Sequence, residues 1–277
     1  MKLGLRCLAA LALLALHMGP GQTAELLPTP PQAASPNRRS GAEFMSPALQ
    51  AMQRDEALNP GMLWVKQGHD LWQSTPGPNS SPAKANASTR SCASCHVDAT
   101  STMRGVATRY PAFDAASQRP VNLAQRINLC RVNQQQSPAW RSESPELLAM
   151  ESYIAYQSRG LPIAPSSDAR LQPFIEQGQQ RYVQRMGQLN LSCAQCHDER
   201  AGLRLGGNLI PQAHPTAYPV YRLEWQGVGS LQRRLRNCMS GVRSQPSAYG
   251  AQELVALELY LAAQTRGMAL ESPGMRP

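Results

Sequence analysis

Four of the cysteines stand in two matching settings, "CASCH" from Cys92 to His96 and "CAQCH" from Cys193 to His197. Thiols two residues apart on one helical turn reach the two vinyl groups of a porphyrin, and the adjacent histidine can turn its imidazole onto the iron. CxxCH is accordingly the attachment pattern of a c-type haem, although a single copy in a cytosolic chain would also suit a zinc or redox site. Two copies in one exported chain predict two covalently attached haem c groups. One is carried by Cys92 and Cys95 with His96 on the iron, the other by Cys193 and Cys196 with His197.

Export is read from the first residues. Lys2 and Arg6 precede an apolar run from Cys7 to Leu16, and small or turn-prone residues follow from Gly19 to Ala24. This is the pattern of a signal peptide over residues 1–24, cut between Gly19 and Ala24. As a membrane anchor the run is well short of the ~20 apolar residues a spanning helix needs. The mature chain is expected in the periplasm, with no stable membrane insertion.

Removal of Cys7 leaves six cysteines, which an oxidising compartment would ordinarily join in pairs. Two of them lie outside the CxxCH motifs: Cys130, 34 residues after His96, and Cys238, 41 residues after His197. A thiolate is an axial ligand that donates strongly to ferric iron, so the repeated cysteines are expected to complete the sets His96 with Cys130 and His197 with Cys238. The alternatives are a Cys130 to Cys238 disulfide between the halves, or free buried thiols. Other candidates for a sixth ligand are His69, His214, Met103, Met186 and Met239. His214 is followed by proline in a loop-like setting, and His69 has no counterpart in the second half.

The elements that must position these groups repeat as well. "ELLAMESYIAYQSRG" (Glu146 to Gly160) and "ELVALELYLAAQTRG" (Glu253 to Gly267) agree at nine of fifteen positions, with apolar residues at helical spacing and a closing glycine that stops a helix. Upstream, "LAQRINLC" (Leu123 to Cys130) aligns with "LQRRLRNC" (Leu231 to Cys238). The order in each half is CxxCH, a loop, a Leu/Arg/Cys segment and an amphipathic helix. The expected fold is all-α: two tandem cytochrome c-like domains related by internal duplication, with extended loops, at about 45–160 and 161–277. Residues 42–73 are expected to form helices covering the first domain. Residues 27–36 should be an extended arm, residues 74–89 a polar, turn-rich approach to the first CxxCH, and residues 159–174 the bridge between halves. No alternating run is long enough to predict a strand.

Composition narrows the partners. The 277 residues carry a net charge of +9, and only three of the 27 cations are lysines. The arginines are scattered rather than clustered with aromatic residues, which argues against nucleic acid and for attraction to anions, small or protein-borne.

With tandem CxxCH motifs, a lone cysteine in a Leu/Arg setting after each, and "RRLRNCM" before the last amphipathic helix, nearly the whole mature chain resembles the SoxA subunits of the SoxAX cytochromes. The most specific element is Arg234 four residues before Cys238. The resemblance implies an L-cysteine S-thiosulfotransferase that works with a small SoxX-like cytochrome. It would join thiosulfate oxidatively to a cysteine of a SoxYZ-like carrier and pass two electrons to the haems. It further implies that Cys238 is both axial ligand and persulfide carrier, and that Arg234 binds substrate. A guanidinium suits a dianion through its fixed fork of donors. Arg126 precedes Cys130 by the same four residues, so spacing alone leaves substrate binding and haem-propionate binding both open. Arg233, Arg236 and Arg243 are further cationic candidates. The first haem set, already six-coordinate, calls for no catalysis. The competing functions are a non-catalytic periplasmic dihaem electron carrier and a peroxidase-like enzyme.

Overall fold

The computed structural model describes residues 37–76 and 90–277. The expected signal peptide, the arm at 27–36 and most of the approach at 74–89 fall outside the described residues.

Each half is built on a pair of crossed helices. In the first half α2 (Met62–Gln73) crosses α6 (Pro145–Tyr156), and in the second α7 (Gln172–Val183) crosses α10 (Gln252–Gln264). Both crossings depend on a glycine. A Cβ on Gly68 would lie 2.1 Å from the Ala149 carbonyl oxygen, and one on Gly178 would lie 2.1 Å from that of Ala256. Only a hydrogen fits at these points, so the backbones approach closely and their apolar stripes close over one core each. Trp72, Met150 and Tyr153 centre the first core, Tyr182, Leu254 and Leu257 the second.

Between the crossed helices run the expected Leu/Arg/Cys helices, α5 (Leu123–Asn133) and α9 (Leu231–Gly241). Their starts are fixed by side-chain caps: Asn122 accepts from the Gln125 amide at 2.9 Å and Ser230 from the Arg233 amide at 3.1 Å. Each CxxCH is a single turn, α3 (Cys92–His96) and α8 (Cys193–His197). Between them in chain order is α4 (Ala99–Thr102), and α1 (Pro47–Arg54) precedes α2. The helices over residues 42–73 are as expected, but α1 braces the other end of the chain: Gln53 Oε1 accepts from the Met275 amide at 2.9 Å.

Three small sheets accompany the helices. They are the antiparallel pairs β1 (Ala112–Asp114) with β2 (Arg119–Val121) and β3 (Arg204–Leu205) with β4 (Asn208–Leu209), and a three-stranded sheet. In the last, β5 (Val220–Arg222) pairs antiparallel with β6 (Gly227–Gly229) and parallel with the C-terminal β7 (Gly274–Arg276). At two or three residues each, these strands are too short for an alternating pattern to register.

The halves meet through equivalent segments. Gly160 and Gly267, which close α6 and α10, donate to the carbonyls of Leu270 and Ile163, both at 2.8 Å. The bridge over residues 159–174 is therefore a paired segment rather than a free linker. A cavity of 160 Å³ beside this seam is lined in part by Glu143, Glu151 and Glu258.

Candidate active site

The capped turn α8 begins the second-half site. Ser192 accepts from the Gln195 amide at 3.3 Å, while the Gln195 side chain accepts from the Ser192 amide at 3.0 Å. This box fixes the turn carrying Cys193, Cys196 and His197. The His197 Nδ1 stands 2.7 Å from the Pro211 carbonyl oxygen. A carbonyl only accepts, so Nδ1 donates, and in the neutral ring the lone pair is left on Nε2. Cys238, on α9, is within hydrogen-bonding reach of the same ring. The sequence-predicted pair His197 and Cys238 is therefore brought face to face.

Charge favours a thiolate at Cys238. Burial alone would push its pKa up, but the hydrogen bond with His197 and the positive charges of Arg234 and Arg222 bring it below the ordinary thiol value. Burial likewise opposes protonation of His197, and the contacts with Cys238 and Pro211 overcome it, raising the imidazole. Arg234 is desolvated yet held firmly charged by Cys238 and Tyr218. Among the described residues, Arg234 forms no ion pair with a carboxylate.

The first-half site is built alike and charged differently. Cys130, on α5, lies among Cys92, Cys95 and Arg126. Burial raises the Cys130 thiol, and Arg126 opposes this only weakly. The Arg126 guanidinium is already committed, since its Nη2 donates to Asp114 Oδ1 at 2.8 Å. Tandem domains thus present one neutralised arginine and one free one, a distinction that spacing could not make.

The remaining candidates lie elsewhere. His69 is exposed beside Asp70, 3.3 Å away, and the His214 ring rests 3.5 Å from the Thr265 hydroxyl, its neutral form favoured by burial. Met103 and Met239 are core residues, and Met186 packs against the second core. Arg233 lies over the Trp225 ring at 4.2 Å and Arg236 over that of Tyr249 at 4.4 Å, each a cation held against an aromatic ring. Arg243 has a positive φ of 57° just beyond α9. Cys130 and Cys238 each sit with the CxxCH of their own half, and both are free thiols.

Two positioning residues escaped the sequence reading. Trp72 Nε1 donates to the Val97 carbonyl at 3.2 Å, and the Tyr182 hydroxyl donates to Asp198 Oδ1 at 2.6 Å. Val97 and Asp198 are the residues directly after the two motif histidines. One core aromatic in each half therefore clamps its CxxCH turn to the crossed helices. The available signal was the pair Gly68-x3-Trp72 and Gly178-x3-Tyr182.

The chemistry of these donors fits a covalently held haem. The motif thiols are free to form thioethers, and the engaged Nδ1 of His197 leaves Nε2 for a metal. Fold and site together define a helical c-type cytochrome with covalently bound haem. The family model for the SoxA/TsdA cytochrome c domain matches twice, over residues 67–163 and 177–270. The L-cysteine S-thiosulfotransferase subunit SoxA of Pseudaminobacter salicylatoxidans is 34% identical over 86% of this chain and 80% of its own length. That of Rhodovulum sulfidophilum is 33% identical over the same shares. The crystal structure of SoxXA from P. pantotrophus superposes with a TM-score of 0.80 at 30% identity, covering 87% of each chain. This chain belongs to the SoxA family.

Proposed function

We propose that this chain is the catalytic haem subunit of an L-cysteine S-thiosulfotransferase, exported to the periplasm after removal of residues 1–24. On this reading residues 45–160 and 161–277 each carry one haem c. Cys92 and Cys95 would hold the first, with His96 and Cys130 as the residues that would bind its iron. Cys193 and Cys196 would hold the second, with His197 and Cys238. The partners are a small SoxX-like cytochrome and a SoxYZ-like carrier protein bearing the acceptor cysteine.

The observation that carries the reading is the pairing of Cys238, the lone cysteine whose surroundings favour a thiolate, with an arginine that forms no ion pair with a carboxylate among the described residues. Arg234 holds the thiosulfate dianion beside a persulfide on Cys238. The terminal persulfide sulfur and the sulfane sulfur of thiosulfate form a bond, with loss of two electrons and no atom leaving. Haem c, when bound, supplies one-electron acceptance, and the two electrons of this oxidation would pass singly to the haems of the complex. The carrier thiolate then attacks the sulfur next to the sulfonate. The bond to the persulfide breaks, the carrier leaves with an S-thiosulfonate, and the Cys238 persulfide is regenerated. Cys238 is half-buried, and on this reading its outer sulfur is the atom that meets thiosulfate and the carrier. The corresponding arginine of the first half, Arg126, is paired with Asp114.

The test is the mass of the exported protein. After acid treatment, which strips non-covalent haem, the chain should retain two haems, and the peptide bearing Cys238 should be heavier than its sequence by one sulfur atom, the outer sulfur of the persulfide. One retained haem would refute the dihaem assignment. A Cys238 peptide that never gains sulfur would favour a non-catalytic electron carrier.

A further inference from the structure

The repeat continues upstream of α5 and α9, and there the two halves part. Tyr110-Pro111 aligns with Tyr218-Pro219, and the same offset carries β1 onto β5, Gln118 onto Gln226, and α5 onto α9. Gln118 and Gln226 even share a positive φ, 53° and 48°. In this register Asp114, the last residue of β1, corresponds to Arg222, the last residue of β5. Where the first half sets an acid against its arginine, the second half sets another arginine.

We infer that Arg222 is the second arginine of an anion site beside Cys238, closing on the sulfonate end of thiosulfate together with Arg234. The inference rests on the functional reading given above and adds a specificity-determining contact to it.

Several observations carry this. The Arg222 side chain is 11% exposed, and its Nε is buried with no hydrogen-bond partner among the described residues. Its one ion pair, from Nη2 to Glu224 at 3.3 Å, points to a carboxylate that is 59% exposed, and such a contact is worth little. Arg222 lies near enough to Arg234, Glu224 and Cys238 to feel their charges, and burial together with the repulsion from Arg234 disfavours its charged form. Two guanidiniums face one thiolate and the exposed Glu224 carboxylate, so the buried end of the pair, where Arg222 Nε has no partner, keeps positive charge that an incoming anion neutralises. A sulfonate offers three acceptor oxygens to two donor forks. The ring of Trp225, 5.3 Å from the Arg222 guanidinium carbon and 4.2 Å from that of Arg233, steadies this corner.

The experiment uses the holoprotein in complex with its small cytochrome partner. Thiosulfate binding is measured by calorimetry without the carrier, alongside KM, kcat and the haem absorption and midpoint potentials. Arg222→Asp recreates the first-half arrangement, in which Arg234 acquires a carboxylate; Arg222→Lys keeps the charge and removes the fork. Thiosulfate binding should weaken about 10- to 100-fold in Arg222→Asp, the loss of a charge-assisted contact, and less in Arg222→Lys. KM should rise more than kcat falls, with haem spectra unchanged. Unaltered thiosulfate affinity in Arg222→Asp, with affinity lost in Arg234→Ala, would overturn this inference and leave the functional reading standing. Unaltered affinity in both variants would overturn both. A shifted midpoint potential with unaltered affinity would assign Arg222 to a haem propionate and overturn the inference.

Discussion

Arg126 and Asp114 form an ion pair of 2.8 Å in the first half, and this pair closes the charge balance around Cys130. Ser117 also donates to Asp114 through its hydroxyl, at 2.7 Å. These bonds hold the Asp114 carboxyl below the usual range, the Ser117 contacts most and Arg126 next. The second half keeps the helix, the cysteine and the arginine but lacks the acid. On the proposed reading, the different roles of the two halves follow from that change of charge, Arg222 standing where the first half has Asp114.

Arg126→Ala and Arg234→Ala should therefore separate. Arg126 is linked to a carboxylate and its side chain is 36% exposed, so its removal should cost stability by no more than about 1 kcal/mol and leave thiosulfate turnover close to wild type. Arg234→Ala should reduce turnover strongly without loss of either covalent haem. Steady-state rates on the two purified holoproteins check this, and equal losses would remove the distinction.

The glycine crossings give a stability prediction. Gly178→Ala places a methyl group against the Ala256 carbonyl, and Gly68→Ala does the same at Ala149. Backbone oxygens cannot turn aside as side chains do, so each change should cost about 1–3 kcal/mol or more through helix separation. Gly207→Ala, where an added Cβ meets nothing within 4 Å, should leave the midpoint almost unchanged. Thermal unfolding of the three holoproteins makes the comparison.

Much of this arrangement was legible in the sequence, for physical reasons that also explain the gaps. Cys92 to His96 and Cys193 to His197 announce themselves because thioether chemistry tolerates only that spacing. The helices α6 and α10 repeat visibly because most of their residues are buried, eight of twelve and eight of thirteen. The α2 and α7 helices bury only Val65, Gly68 and Trp72 on the one and Gly178 and Tyr182 on the other, too few positions to make a repeated pattern. β5, β6 and β7 are three residues long and find their partners across distant chain segments, which local alternation does not record. Arg222 was hidden because the duplicated halves diverge there in charge, the feature that distinguishes their chemistry. Trp72 and Tyr182 were readable as core residues, but their hydrogen bonds to Val97 and Asp198 depend on how the loops return.

Acid content at the seam sets a pH dependence. Burial raises Glu151 from 4.5 to about 8, helped by the charges of Glu258 and Glu143, and burial raises Glu258 from 4.5 to about 7 against hydrogen bonds from Asn122 and Gln232. Both carboxyls are raised in the folded state, so between pH 4.5 and these values the folded chain holds protons that the unfolded chain releases. Stability from these groups is thus greatest at low pH and should decline as pH rises from about 5 to about 8. Glu258→Gln keeps an acceptor for the Asn122 amide, which donates at 3.0 Å. This variant should flatten the decline and match or exceed wild-type stability at the upper end. Denaturant unfolding across that range decides it, and a slope unchanged by Glu258→Gln would exclude this carboxyl as a source.

The central claim is that Cys238, and not Cys130, carries the transferred sulfur. Its most direct test is thiosulfate-dependent transfer to the carrier cysteine, followed by electron release, in Cys238→Ala and Cys130→Ala holoproteins whose covalent haem content has been verified by mass. The account predicts complete loss in Cys238→Ala with both haems still attached, and substantial transfer in Cys130→Ala. A Cys238→Ala protein that transfers thiosulfate at the wild-type rate would contradict it.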